Sequence, residues 1–285
     1  MKDLKIYFAD FFPGFYEENI FLPILMKHYN VSINKENPDV VIHSIFNGMV
    51  ETPTYDCKKI LFLGENYRPQ QFKSDFSISF DPHSETNFRL PLWQFFMLLK
   101  PTYLGRLLDP VKHENFDKFC SFTVSNPSNF LRNGIFNQLS NYKFVHSYGR
   151  YMTNDMSLQN ISKDKYWRDA KDEFFNKTKH KFSIVYENTK YPYYTTEKLM
   201  DSYLNGSLGI YWGSNKIGEE FNEKSFINAN KYNTSDLIKL IKQIDNDDKL
   251  FKSYYDEKVF TEEQKRKLVD NLDNFEKWLV EKVKQ

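Results

Sequence analysis

Phe182-Ser183-Ile184-Val185-Tyr186-Glu187-Asn188-Thr189-Lys190-Tyr191-Pro192-Tyr193-Tyr194-Thr195-Thr196-Glu197-Lys198 is the stretch that decides how this chain is read. It opens as an alternating apolar segment, the pattern of a strand, and that pattern stops abruptly at Glu187-Asn188. An aromatic loop follows, and Thr196-Glu197-Lys198 opens a helix. A carboxylate, an amide, phenols and an ammonium are thereby gathered at the carboxyl end of a strand and the start of a helix. Open α/β proteins bind nucleotide-linked ligands at such places, because backbone N–H groups and the helix dipole favour a diphosphate there.

Working outward, the same alternation recurs on both sides. In the first third, Leu4 to Ala9 reads as a strand and Tyr16 to His28 as an amphipathic helix. Further strands are expected at Asp39–Ile45, Lys59–Leu63 and Phe76–Phe80, and an apolar helix runs from Trp93 to Leu99. Residues 101–116 are charged, contain Pro and lack periodicity, which makes them the expected linker. The second block starts with a strand at Lys118–Val124 that ends in Ser125-Asn126-Pro127. Ser128 is expected to cap a helix with Leu131, Ile135 and Leu139 on one face. A strand at Tyr142–Val145, the opening segment with its helix Thr196–Leu204, and a strand at Leu208–Gly213 complete it.

Such alternation predicts an α/β protein with two Rossmann-like domains facing an interdomain cleft and a helical C-terminal tail. The expected boundaries are 1–115 for the first domain, 116–234 for the second, and 235–285 for the tail. In the tail, Leu268, Leu272, Phe275, Leu279 and Val283 recur at helical spacing. That face is expected to pack back onto the first domain. Beside Lys265, Arg266, Lys267 and Lys277 it also fits a membrane surface, which would give peripheral contact at the inner face of a membrane.

Composition narrows the function class. A net charge of +1 gives no electrostatic case for nucleic acid as a partner. No apolar run approaches the length of a membrane span. Met1 to Phe8 enters a strand pattern at once, without a secretory apolar region, so a cytoplasmic setting is expected. Cys57 and Cys120 stand far apart with no metal-ligand spacing and are expected as buried thiols. Phe and Tyr are abundant, but a codon bias accounts for the bulk of them, and composition alone does not mark a sugar site.

Transfer from a nucleotide diphosphate sugar requires positive charge for the leaving diphosphate and a base for the attacking hydroxyl. The one Asp-x-Asp, at Asp245-Asn246-Asp247, lies in an acidic helical stretch, so no metal site is expected. Arg132 and Lys198 each fall in the first turn or so of a helix that follows a strand, in successive units of the second block. Both side chains can therefore converge on one ligand. Glu197 and Glu187 flank the same place, as hydroxyl acceptors or cation partners, and Asn188 and Tyr194 offer neutral hydrogen bonds. In the first block Glu65, directly after Leu61-Phe62-Leu63-Gly64, and His43, after Val40-Val41-Ile42, are rival bases. There is no Gly-x-Ser-x-Gly elbow, Walker A loop, Gly-x-Gly-x-x-Gly or His-Glu-x-x-His.

The opening segment, continued through Leu199–Tyr203 to Ile210-Tyr211-Trp212-Gly213-Ser214, resembles the signature of the α-1,3/4-fucosyltransferases, glycosyltransferase family 10. Lys118 to Gly149 is similar to the family's Lys-Phe-Cys…Val-Ser-Asn-Pro…Arg-Asn…Gly block. Asn222–Asn228 resembles its Asn-Pro-Lys-Ser-Phe-Val-Asn, while Gly64-Glu65-Asn66 and Arg89-Leu90-Pro91-Leu92 resemble acceptor-domain motifs. The resemblance implies a metal-independent GT-B fold without a cofactor, with 1–115 as the acceptor-binding domain and 116–234 as the donor-binding domain. GDP-fucose would be held by Arg132, Asn188, Tyr194, Glu197 and Lys198, with Glu187, Ser125 and Asn126 beside them, and Glu65 would be the general base. The implied reaction is inverting transfer of L-fucose to a hydroxyl of an oligosaccharide or polysaccharide acceptor, O3 of GlcNAc in the first instance. Transfer of another GDP-linked deoxysugar, and a non-catalytic nucleotide-sugar or glycan-binding protein, are the alternatives. The chain departs from the family pattern where Thr189 replaces Ser, where Tyr148 interrupts a Gly-rich turn, and at Leu208-Gly209 in place of Val/Ile-Pro.

Overall fold

A computed structural model describes residues 1–284, and these form two compact units. The first comprises Met1–Pro101 and the chain from Lys265 onward; the second is Thr102–Gln264.

In the first unit β1 (Lys2–Ala9), α1 (Phe21–Met26), β2 (Tyr29–Ile33), β3 (Val40–His43), β4 (Lys58–Phe62), β5 (Phe76–Ser79), β6 (Asn87–Arg89) and α2 (Leu92–Leu99) follow one another. The six strands make one all-parallel sheet in the order β2-β1-β3-β4-β5-β6. The central strands carry apolar runs, as strands covered on both faces do: Val40, Val41, Ile42, Ile60 and Leu61 are buried. The predicted long helix over 16–28 is instead a single 3₁₀ turn at Phe15–Glu18 followed by the short α1, because Asn19 accepts from Phe21 N and Leu22 N at 3.0 Å and restarts the helix. Two edge strands, β2 and β6, lie where the sequence predicted none. Beyond Tyr29, β2 buries no side chain fully, so it carries no apolar period.

The second unit contains α3 (Thr102–Leu108), β7 (Lys118–Phe122), α4 (Phe130–Ser140), β8 (Val145–Ser147), α5 (Ser157–Ile161), α6 (Trp167–Lys177), β9 (His180–Tyr186), α7 (Lys198–Leu204), β10 (Leu208–Trp212), β11 (Ile227–Asn228), α8 (Thr234–Asn246) and α9 (Asp248–Tyr255). Its five strands form a second parallel sheet, ordered β11-β10-β9-β7-β8. The passage read as a linker thus holds a helix of this unit, where Tyr103 and Leu107 are buried. Much of the expected tail also belongs here. Leu237, Ile241 and Ile244 of α8 and Phe251 of α9 join Phe122, Phe182 and Ile210 in one core.

A final helix, α10 (Glu262–Lys284), returns the chain to the first unit. Its buried face, Leu268, Phe275, Leu279 and Val283, follows the predicted spacing. Phe275 packs on Phe21 and Phe88, Trp278 packs on Phe76 and Phe88, and Tyr29 donates to the Val280 carbonyl at 3.2 Å. Among the described residues no helix is long and apolar enough to cross a membrane.

Candidate functional site

The second sheet reverses direction at β7, which has β8 on one side and β9 on the other. In open α/β sheets the loops part at such a switch point and leave a crevice outside the carboxyl ends of the strands. A cavity of about 410 Å³ lies there. Its walls are Thr123–Asn126 after β7, Tyr148–Arg150 after β8, Asn188 after β9, Arg132 on α4, Glu197 and Lys198 at the start of α7, and Leu158, Gln159, Ser162, Trp167 and Lys171 on or beside α5 and α6. Gly149 makes the crevice possible. A Cβ there would sit 1.9 Å from the Val124 carbonyl oxygen, so only glycine lets the ends of β7 and β8 approach this closely.

Arg132 is fixed from several directions. The cap of α4 is Asn129, one residue later than the predicted Ser128, and its side chain accepts from Arg132 N at 3.0 Å. The same side chain donates to the carbonyls of Glu187 (2.9 Å) and Asn188 (3.3 Å), tying the start of α4 to the end of β9. Arg132 is 1% exposed. It donates from Nη1 to Asn188 Oδ1 at 2.7 Å and from Nη2 to the Asn126 carbonyl, while its buried Nε has no partner. Burial lowers its pKa, with Glu187 and Tyr194 opposing, yet a guanidinium stays charged in any such surroundings. A buried cation facing mostly neutral acceptors is short of negative charge.

Lys198 lines the same cavity within a chain of charges. Its Nζ is 3.2 Å from Glu187 Oε2, 2.9 Å from Thr196 Oγ1 and 3.9 Å from Glu197 Oε1. Glu187 is wholly buried, and Thr196 donates to it from both N and Oγ1 at 2.7 Å. Burial pushes the Glu187 carboxyl up and Lys198 pulls it down. The Lys198 ammonium is disfavoured by burial but raised by Glu187 and Glu197, so it remains a cation. Gly213 gives Glu187 its room, since a Cβ there would lie 2.5 Å from Glu187 Cγ. Behind Glu197, the buried Arg168 and its neighbour Lys171 on α6 both pair with Asp201 of α7, Arg168 Nη2 at 2.7 Å. Burial opposes ionisation of Glu197, yet Lys198, Lys171 and Arg168 hold its carboxyl down at about 2. At neutral pH Glu197 therefore accepts hydrogen bonds and donates none.

Of the residues singled out from sequence, Ser125, Asn126, Arg132, Asn188, Glu197 and Lys198 line this one cavity. Glu187 and Tyr194 do not: both are buried, Glu187 serving Lys198 and Thr196, and Tyr194 close enough to Arg132 and Lys198 to favour their charge. Sequence reasoning missed Arg150, Trp167 and Lys171. The signal for the last two was Trp167-Arg168 and Lys171 at one helical turn in a segment left unread. Glu65 is exposed just beyond the carboxyl end of β4 in the first unit. His43 is a buried core histidine, with Nε2 at 2.7 Å from Ser74 Oγ and Nδ1 at 3.1 Å from the Ser44 carbonyl, and burial lowers its pKa. Asp245 is held by Tyr142, Lys143 and Lys181, and Asp247 caps α9. Cys120 is buried and Cys57 half-buried, both as free thiols.

The sequence model of the glycosyltransferase family 10 (fucosyltransferase) C-terminal region matches residues 114–276, more than half of the chain. The chain belongs to glycosyltransferase family 10. The model of the alpha-(1,3)-fucosyltransferase FucT N-terminal domain matches residues 6–96 of this family 10 protein, within the first unit. Alpha-(1,3)-fucosyltransferase FucT of Helicobacter pylori is 26% identical over 259 residues, 78% of this chain and 52% of the relative. The Bos taurus 4-galactosyl-N-acetylglucosaminide 3-alpha-L-fucosyltransferase 9 is 30% identical over 149 residues, 50% of this chain and 37% of the relative. The chain thus spans about half the length of the bacterial relative and less of the mammalian one. A crystal structure of an alpha1,3-fucosyltransferase with GDP-fucose superposes with a TM-score of 0.72 at 21% identity, covering 97% of this chain and 91% of that one. One with GDP gives 0.71 at 20% identity, over the same shares of both chains. The fold of this family 10 member is accordingly of the two-domain GT-B type.

Proposed function

We propose that the protein is an inverting fucosyltransferase that moves L-fucose from GDP-fucose to a hydroxyl of a glycan acceptor, O3 of GlcNAc in the first instance. The observation that carries this reading is the presence of two cations, Arg132 and Lys198, in the lining of one cavity at the switch point of the second sheet. Membership of family 10 supports GDP-fucose as the donor, as do the solved alpha1,3-fucosyltransferase structures with GDP-fucose and with GDP. In this reading the acceptor oxygen attacks the anomeric carbon, the bond from that carbon to the β-phosphate oxygen breaks, and the hydroxyl proton passes to Glu65. The Arg132 fork and the Lys198 ammonium take up the charge that develops on GDP, and the charge work is assigned to them rather than to a metal. Glu197, anionic at neutral pH, accepts from donor hydroxyls. Ser125, Asn126 and Asn188 add neutral contacts, with Glu187 and Tyr194 holding the cations from behind.

The test is Glu65→Gln, which keeps the size of the side chain and removes the base. The variant binds GDP as the wild type does and fails to transfer fucose. Full transfer by Glu65→Gln would sink the assignment.

A further inference from the structure

Glu65 is carried by a short turn after β4, and Arg68 tethers that turn to the segment following β5. Tyr67 N donates to the Glu65 carbonyl at 2.7 Å, so the backbone folds back directly behind the carboxylate. Three residues on, the Arg68 guanidinium reaches in two directions. Nη2 donates to Asn66 Oδ1 beside Glu65, and Nη1 pairs with Asp81 at the end of β5. Arg68 N also donates to Gln71 Oε1 at 2.7 Å, closing the turn on its far side.

Asp81 is itself braced. Its N–H donates to Ser79 Oγ at 3.1 Å, and its carbonyl accepts from Asn87 Nδ2 at 2.9 Å. Asn87 is buried on β6 and accepts from Ser77 and Ser79 at 2.8 Å each. A chain of polar contacts therefore runs from the edge of the sheet through Asp81 and Arg68 to the residue next to Glu65. Exposed loops are otherwise the least constrained parts of a fold. Here a planar fork, only 18% exposed like its Asp81 partner, spans two acceptors that a point charge cannot span equally.

We propose that Arg68 is the positioning residue for the base: its guanidinium ties the turn that bears Glu65 to Asp81 and so fixes where the carboxylate stands. The inference rests on the assignment of Glu65 as base. Arg68 touches neither donor nor leaving group in this scheme, so its effect falls on the chemical step and leaves donor binding alone.

The experiment compares Arg68→Met, Arg68→Lys, Asp81→Asn and Glu65→Gln in the full chain, measuring kcat, KM for GDP-fucose, the dissociation constant of GDP and thermal stability. Misplacement of a catalytic group by an ångström costs on the order of 100-fold. Arg68→Met is expected to lower kcat by about 10- to 100-fold, with GDP affinity and donor KM within about twofold of wild type. Arg68→Lys, which reaches one partner, falls between. Asp81→Asn repeats the kcat defect from the other side of the tether, and the Arg68→Met/Asp81→Asn pair is no worse than its worse member. If Arg68→Met proves unstable, Arg68→Lys and Asp81→Asn decide the matter. Wild-type kcat in the folded variants while Glu65→Gln is inactive would overturn the positioning role and leave the base assignment standing. Full activity of Glu65→Gln would overturn both.

Discussion

Lys198 performs two tasks in this account, and a double substitution separates them. Lys198→Ala leaves Glu187, wholly buried, with the two Thr196 donors at 2.7 Å, one to each carboxylate oxygen. Removing one member of a buried ion pair costs about 3–5 kcal/mol. The two Thr196 donors remain, Lys198 keeps 20% exposure, and burial already favours a proton on Glu187, so the cost should fall to about 2–3 kcal/mol. For a unit of this size that lowers Tm by roughly 5–10 °C. Adding Glu187→Gln removes the orphaned charge while keeping a group that bonds Thr196, and should restore most of the lost stability. Turnover should not return. The cation that meets the developing charge on GDP is still missing, at a cost of about 100-fold or more in kcat. Thermal unfolding beside GDP release at saturating donor and acceptor reads both quantities. A double variant that regains turnover together with stability would make Lys198 a structural partner of Glu187 and nothing more. An unchanged Tm in Lys198→Ala would refute the pairing itself.

Other outcomes follow from the same geometry. His43→Gln should keep wild-type turnover and lose about 1 kcal/mol of stability, since its contacts to Ser74 and Ser44 hold the core of the first unit; loss of transfer with the fold intact would revive it as a base. Gly149→Ala must move the Val124 backbone and should cost about 1–3 kcal/mol while weakening GDP binding, as read by unfolding and titration. Glu197 has a folded pKa depressed from 4.5 to about 2, so its contribution is present above about pH 4.5 and is lost as pH falls toward 2. That shift is worth about 3 kcal/mol, and the wild type should lose it between pH 5 and pH 2 in denaturant titrations. Glu197→Gln should show a flatter acid limb.

The second sheet was legible because most of its strands carry alternating or continuous apolar runs that end at turn residues. Arg132 and Lys198 were legible because each follows a strand by a few residues, which places it at the carboxyl edge whatever the details of the loops. What escaped was set by tertiary contact. Lys171 stands far from Lys198 in sequence, and the pairing of Arg168 and Lys171 of α6 with Asp201 of α7 is a contact between distant segments. Glu187 left two readings open, hydroxyl acceptor or cation partner, and only its full burial against Thr196 and Lys198 decides for the cation. The edge strands β2 and β6 went unseen because a short or half-exposed strand has no apolar period to read. The extent of the tail was misjudged for a related reason. α8, α9 and α10 all carry amphipathic faces, and periodicity does not say which sheet a face will cover.

The central claim is fucosyl transfer by this cavity and this base, and a glycan acceptor array supplied with GDP-fucose tests it most directly. The account predicts acceptor-dependent release of GDP and an α-linked fucose on a GlcNAc-containing acceptor, abolished by Glu65→Gln and reduced about 100-fold or more by Lys198→Ala. Tight binding of GDP-fucose with no release of GDP on any acceptor, or release with another GDP-linked sugar and none with GDP-fucose, would contradict it.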